Sequence, residues 1–203
     1  MRSSTKALLE SLCTRTRVRQ AAWGVMAGLL AGFAGLAGCN RFHGEVVAKD
    51  QTALVLTSSS FQSGKIPAKF TCNGAGTSPQ LAWTAPPART ASLALIVTDP
   101  DAPGGTFTHW VLYDLPAEKR DLAEGLAKQD QLADGARQGR NDFDDVGYGG
   151  PCPPGKAAHH YVFTLYALDM KLNLAAGATR KQVETAMQGH ILARGELIAV
   201  YPS

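Results

Sequence analysis

Two clusters concentrate the residue types that hold or transform a ligand. The first is Asp99-Pro100-Asp101-Ala102-Pro103, followed by His109-Trp110; the second runs from Gly147-Tyr148-Gly149-Gly150-Pro151-Cys152 to His159-His160-Tyr161. Carboxylates accept hydrogen bonds and balance cations, and imidazoles donate or accept according to tautomer. Glycine-rich turns let successive backbone N–H groups approach an anion closely. Each piece alone also has a plain structural use, as an Asx turn, a strand start or loop punctuation. Together they can bring two carboxylates and an imidazole to one rim, beside a glycine loop.

The same residues limit the chemistry. Asp99, Asp101, His109 and His159 are ligand types for zinc or iron, but no H-E-x-x-H or comparable spacing places them on one element. There is no G-x-S-x-G elbow for serine hydrolysis. Binding is therefore expected rather than catalysis, with no metal or cofactor required. One alternative stays open on these residues, a metal-dependent hydrolase.

The clusters need a scaffold, and the pattern between them supplies one. Short apolar or alternating runs recur at Ala53–Thr57, Lys69–Thr71, Leu81–Thr84, Ser92–Thr98, Trp110–Leu115, Tyr161–Leu168 and Glu196–Tyr201, separated by Pro/Gly turn signals. That rhythm predicts a mainly β sandwich or a related antiparallel architecture. Leu93–Val97 and Tyr161–Leu168 are apolar on both faces and belong at the centre of a sheet, with the alternating runs at its edges. One peripheral helix is expected after Thr179, whose side chain and Gln182 form a capping box, with Val183, Ala186 and Met187 on one face and Gly189 at its end. Pro116–Leu132 can hold a second, weaker turn or helix. Ser92–Thr98 delivers the aspartates to a strand end, and His109 opens the next strand.

The N-terminus reads as an address and an anchor. A basic stretch to Arg19 precedes the apolar run Ala21–Ala37 and then Leu36-Ala37-Gly38-Cys39. This order fits a lipoprotein signal peptide over 1–38, a lipidated Cys39, a polar tether over 39–52 and a domain over 53–203. An uncleaved membrane anchor is the alternative, because Gly24, Gly28 and Gly32 keep helix-dimer spacing, but the run is short of the about 20 residues a bilayer needs. Either way the domain faces out of the cytoplasm, into the periplasm if lipid-anchored.

Of the net charge of +3, residues 1–38 carry Arg2, Lys6, Arg15, Arg17 and Arg19 against Glu10. The rest of the chain is thus slightly negative, which argues against a nucleic-acid partner. Cysteine usage agrees with export. Cys13 lies in the removable segment and Cys39 would carry lipid, so Cys72 and Cys152 remain as an even pair that reads as a disulfide in an oxidising compartment.

Beyond the two clusters, the segments Phe70-Thr-Cys-Asn-Gly74, Ser78-Pro-Gln-Leu-Ala-Trp83 and Phe163-Thr-Leu-Tyr-Ala-Leu-Asp169 complete a pattern. From about Leu54 onward the chain resembles the phosphatidylethanolamine-binding protein family, in particular its bacterial Raf-kinase-inhibitor-like subgroup. The resemblance implies a Greek-key β-sandwich with one or two short peripheral helices and a small preformed pocket at one end that accepts phosphate-like anions and phospholipid headgroups, and the family name alone adds the alternative of inhibiting a protein partner, a kinase or protease, through an exposed loop. Carried over by position, Asp99, His109, His159 and Tyr161 line it, the Gly149-Gly150-Pro151 loop lies beside it, and Asp101 braces the loop. In that reading imidazoles and loop amides donate to phosphate oxygens, while Asp99 accepts from an ammonium or orients a histidine. One position departs: members of that family usually carry arginine after the second-signature histidine, and here His160 stands there. That substitution puts the bracing of the Asp99–Asp101 loop in question.

Overall fold

The expected runs become eight strands in two antiparallel sheets. The structure, a computed structural model, describes residues 54–202 apart from 62 and 156. The expected signal peptide over 1–38, Cys39 and the expected tether over 39–52 lie outside the described residues. Strands β1 (Leu56–Thr57), β2 (Leu81–Trp83) and β5 (Asp121–Leu122) form a three-stranded sheet in the order β1-β2-β5. The larger sheet joins β3 (Ser92–Asp99), β4 (Phe107–Pro116), β6 (Arg137–Gln138), β7 (His159–Leu168) and β8 (Ile191–Tyr201) in the order β6-β4-β3-β7-β8.

The apolar run on β3 is unbroken because both of its faces are covered. Leu93, Leu95 and Val97 pack into a core shared with Leu81, Trp83 and Leu122 of the small sheet. Ala94 and Ile96, on the opposite face, pack with Val183 and Met187 of helix α1 (Arg180–Met187). The larger sheet is therefore a middle layer, and each of its fully buried aliphatic side chains contributes about 1.5–3 kcal/mol. An 8-residue helix is too short to stand alone. It is held by that buried stripe and by the Thr179–Gln182 capping box, in which the Thr179 N–H donates to Gln182 Oε1 at 2.8 Å.

Three local expectations are corrected or narrowed. Lys69–Thr71 is no strand; Ala68–Phe70 forms a 3-10 turn in which the Phe70 N–H donates to the Pro67 carbonyl and Phe70 serves as the buried anchor. Pro116–Leu132 takes the turn rather than the helix, at 117–118 and 124–125, and also carries β5, whose Leu122 pairs with Leu81. Leu81–Trp83 is the middle of the small sheet, not an edge. The Cys72–Cys152 disulfide is present, with a Cα–Cα distance of 5.4 Å.

Candidate functional site

The site begins with an irregularity in the sheet. Pairing between β3 and β4 passes from Val97 opposite Trp110 to Thr98 opposite Thr108, which leaves His109 as the extra residue of a β-bulge. A bulge re-aims its side chain and strips the local backbone of its ladder partners. Both consequences are met by Gly149, whose N–H donates to the His109 carbonyl at 2.8 Å while the His109 Nδ1–H donates to the Gly149 carbonyl at 2.7 Å. The carbonyl can only accept, so Nδ1 bears the proton. Burial pushes the His109 pKa down, outweighing the Gly149 bond and the nearby charges of Asp99 and Asp142, which push it up.

Two His–Asp pairs hold the loop that follows β3. His159 and His160 open β7, and strand alternation sends one inward and the other outward. The buried His159 Nδ1–H donates to Asp99 Oδ2 at 2.7 Å, while Asp99 Oδ1 accepts from the Asp101 N–H at 2.8 Å, an Asx turn. Outside, Asp101 Oδ2 accepts from both the N–H and the Nδ1–H of His160, at 2.8 and 2.7 Å. Those bonds, the backbone one foremost, hold the Asp101 pKa below the usual carboxylate value. Histidine at position 160 thus does reach and brace Asp101.

The glycine loop is pinned from behind. Tyr148 Oη donates to the Phe70 carbonyl at 2.8 Å, the Cys72 N–H donates to the Pro151 carbonyl at 3.0 Å, and the disulfide joins the same two segments. A Cβ on Gly150 would stand 2.7 Å from the Phe70 oxygen, so backbone meets backbone there and only glycine fits. A Cβ on Gly149 would meet the Phe143 ring at 2.5 Å. That half-exposed ring sits on a turn organised by the buried Asn141, whose Oδ1 accepts from the N–H groups of Phe143 and Asp145 at 3.0 and 3.2 Å.

These elements enclose a cleft of about 340 Å³. Of the residues singled out in the sequence, Asp99, His109 and Tyr161 line it together. His159 stands behind Asp99, and Asp101 is turned to His160. Gly149 and Gly150 line a smaller neighbouring cleft of about 210 Å³, which shares Phe143 and Cys152 with the first. Pro151 is buried and lines neither.

The sequence reading missed Phe107, Asp142 and Phe143. Phe107 lies two residues before His109, a spacing that places them on one face; the bulge then brings the rings to 5.1 Å. Phe143 stacks edge-on against both, 4.7 Å from Phe107 and 5.4 Å from His109. Nothing local in Asn141-Asp142-Phe143 announces this.

Tyr161 closes the floor. Its ring meets His109 at 5.1 Å, and its hydroxyl is buried with no hydrogen-bond partner among the described residues. Burial, helped by the charge of Asp99, pushes its pKa up, so the phenol stays neutral. No group of three or more His, Cys, Asp or Glu side chains among the described residues is arranged to hold a metal ion.

Known proteins share this architecture. The phosphatidylethanolamine-binding protein family model matches residues 57–202. A UPF0098 protein of Aquifex aeolicus is 49% identical over 147 residues, covering 71% of this chain and 85% of its own. One from Methanothermobacter thermautotrophicus is 46% identical over 138 residues, covering 68% and 91%. Among solved structures, a putative phosphatidylethanolamine-binding protein homologue from Chlamydia trachomatis superposes with a TM-score of 0.67 at 41% identity, over 74% of this chain and 98% of its own. E. coli YbcL, described as a member of the mammalian family, gives 0.68 at 34% identity over the same shares. With sequence, fold and family model in agreement, this chain belongs to the phosphatidylethanolamine-binding protein family.

Proposed function

We propose that the domain is a binding module, not an enzyme, and that its main cleft holds a small headgroup-like ligand of the phosphoethanolamine type, bearing phosphate, ammonium or both. The observation that carries this reading is the meeting of Asp99, His109 and Tyr161 in one preformed cleft. The single cysteine in the lining is tied into the disulfide and offers no nucleophile.

Calorimetric titration of the full chain with O-phosphoethanolamine tests the reading. Saturable binding is expected, weakened roughly 10-fold or more by His109→Ala. His190→Ala, whose imidazole pairs with Asp169 at the surface, should bind as the parent does. Equal affinity in all three proteins contradicts the assignment.

The proposal places this module outside the cytoplasm on a lipid anchor at Cys39, supported by the basic stretch, the apolar run and the Leu36-Ala37-Gly38-Cys39 sequence. Metabolic labelling with a fatty-acid analogue checks it: label is expected in the parent and lost in Cys39→Ser, and equal label in both rejects the anchor.

A further inference from the structure

The larger sheet is covered unevenly. Its inner face, from Trp110 on β4 to Ala199 on β8, belongs to one core. On the outer face α1 covers Ala94 and Ile96 of β3 and Val111 and Tyr113 of β4, and the turn after β6 is laced on through the Thr108 carbonyl, which accepts from the Asp142 N–H at 2.9 Å. That cover reaches Tyr166 of β7 and ends there. Farther toward the head of β7, neither Val162, Ile198 nor Val200 belongs to a core among the described residues.

Register makes these three residues neighbours. Val162 lies opposite Ile198 and His160 opposite Val200, so strand alternation sets Val162, Ile198 and Val200 side by side on the outer face. Ile198 is 54% exposed, at a position where a solvated antiparallel face carries polar residues. A lone exposed aliphatic residue is ordinary, but a contiguous stripe marks a contact surface.

Charged groups stand at both ends of the stripe. Toward the head of β7, Lys65 bridges to Val200 and Asp101 accepts from His160; toward α1, Glu196 pairs with Arg194. The formal charges of Lys65, Arg194, Asp101 and Glu196 cancel, so the face gives an anionic bilayer or a nucleic acid no electrostatic hold. They are complementary to one another under a half-turn. If two copies pack face on face about an axis crossing the strands at the Val162–Ile198 row, the Glu196 end of one lies over the Lys65 end of the other, and Arg194 falls toward Asp101. The edge of β8 offers a poorer route, because the Leu54 N–H already donates to the Arg194 carbonyl at 3.1 Å and Val200 is bonded to Gly64 and Ile66.

We propose that the outer face of β7 and β8 is the contact surface for a second copy of this chain. Val162, Ile198 and Val200 of each copy form the apolar centre, with the sheets about 10 Å apart, and Glu196–Lys65 and Arg194–Asp101 pairs close both ends. An interface of this size is reversible, with a dissociation constant on the order of micromolar. None of the three apolar residues lines the main cleft, so the pair carries two clefts on one body and is bivalent.

Sedimentation equilibrium of the full chain in mild detergent, over a concentration series spanning the micromolar range, tests the proposal. The parent is expected to pass from monomer to dimer. Ile198→Lys, at an exposed position that the fold does not need, should raise the dissociation constant roughly 10-fold or more with an unchanged urea midpoint. Glu196→Lys should also weaken pairing, and adding Lys65→Glu should restore it, because the half-turn brings these two positions together; a merely structural role for either residue predicts no such rescue. Thr185→Lys, on the exposed side of α1, should sediment as the parent does. A parent that stays monomeric throughout the series overturns the proposal. So does a dimer that Ile198→Lys leaves intact, which would place the association elsewhere in the chain. Monomers whose retention on phosphatidylglycerol vesicles is lost in Ile198→Lys would assign the face to a bilayer and overturn it as well.

Discussion

Tyr161 shows how one residue separates function from stability. Its ring is core, packed under His109, but its hydroxyl is a polar atom buried without a partner among the described residues. A group held there for folding would be satisfied by the protein. Tyr161→Phe should therefore leave the unliganded protein as stable as the parent, or up to about 1 kcal/mol more stable, because an unsatisfied buried group is removed. The same change should leave O-phosphoethanolamine binding within about 2-fold, because the ring that lines the cleft is kept and the hydroxyl is closed to solvent. Urea midpoints and titration on the same preparations check it, and a stability loss above about 2 kcal/mol would show that the hydroxyl has a structural partner. The two aspartates divide labour in a similar way: Asp99 faces the cleft with His159 behind it, and Asp101 turns outward to His160. The residue types place both at the loop without telling them apart; the family resemblance assigns Asp99 to the pocket and Asp101 to the bracing, and the register of β7 is what separates them.

At the scale of elements, the site is a bulge, an Asx turn and a glycine loop locked against one another. The loop's position depends on Gly150, where a Cβ would collide with the Phe70 carbonyl at 2.7 Å and Thr71 Cα at 3.0 Å. Gly150→Ala should lose about 1–3 kcal/mol of stability, the usual cost of forcing backbone apart. Gly104→Ala, with nothing within 4 Å of its Cβ, should lose far less. Equal urea midpoints for the two variants would contradict this account of the loop.

The elements themselves were largely legible. Unbroken apolar runs marked β3 and β7 as interior strands, and Thr179 with Gln182 marked the helix start. What the sequence hid follows from long-range pairing. The short strand at Asp121–Leu122 exists only because Leu81 lies opposite Leu122. The His109 bulge is a mismatch between two strands that neither strand shows alone. Asp142 and Phe143 join the cleft through a turn whose sequence carries no ligand motif, held in place by Asn141.

For the whole molecule, the cleft sits where chain segments far apart in sequence are stitched together. Cys72 and Cys152, separated by 80 residues, tie the 3-10 turn to the glycine loop, and Cys152 lines the cleft. Chain entropy assigns such a cross-link about 4–5 kcal/mol as an upper value. Replacing both cysteines with alanine should lower the unfolding free energy by up to that amount, and protein exported to an oxidising compartment should show no free thiol at either position. Two titratable thiols in the native exported protein would reject the disulfide. The most direct test of the central claim is a chemical-shift map of the full chain during titration with O-phosphoethanolamine. Saturable shifts are predicted at Asp99, Thr106 through His109, Asp142, Phe143 and Tyr161, with His190 and the α1 helix unmoved. Saturable shifts centred on α1 or on the exposed Ile198 of β8, with His109 and Tyr161 unchanged, would contradict the assignment of the site.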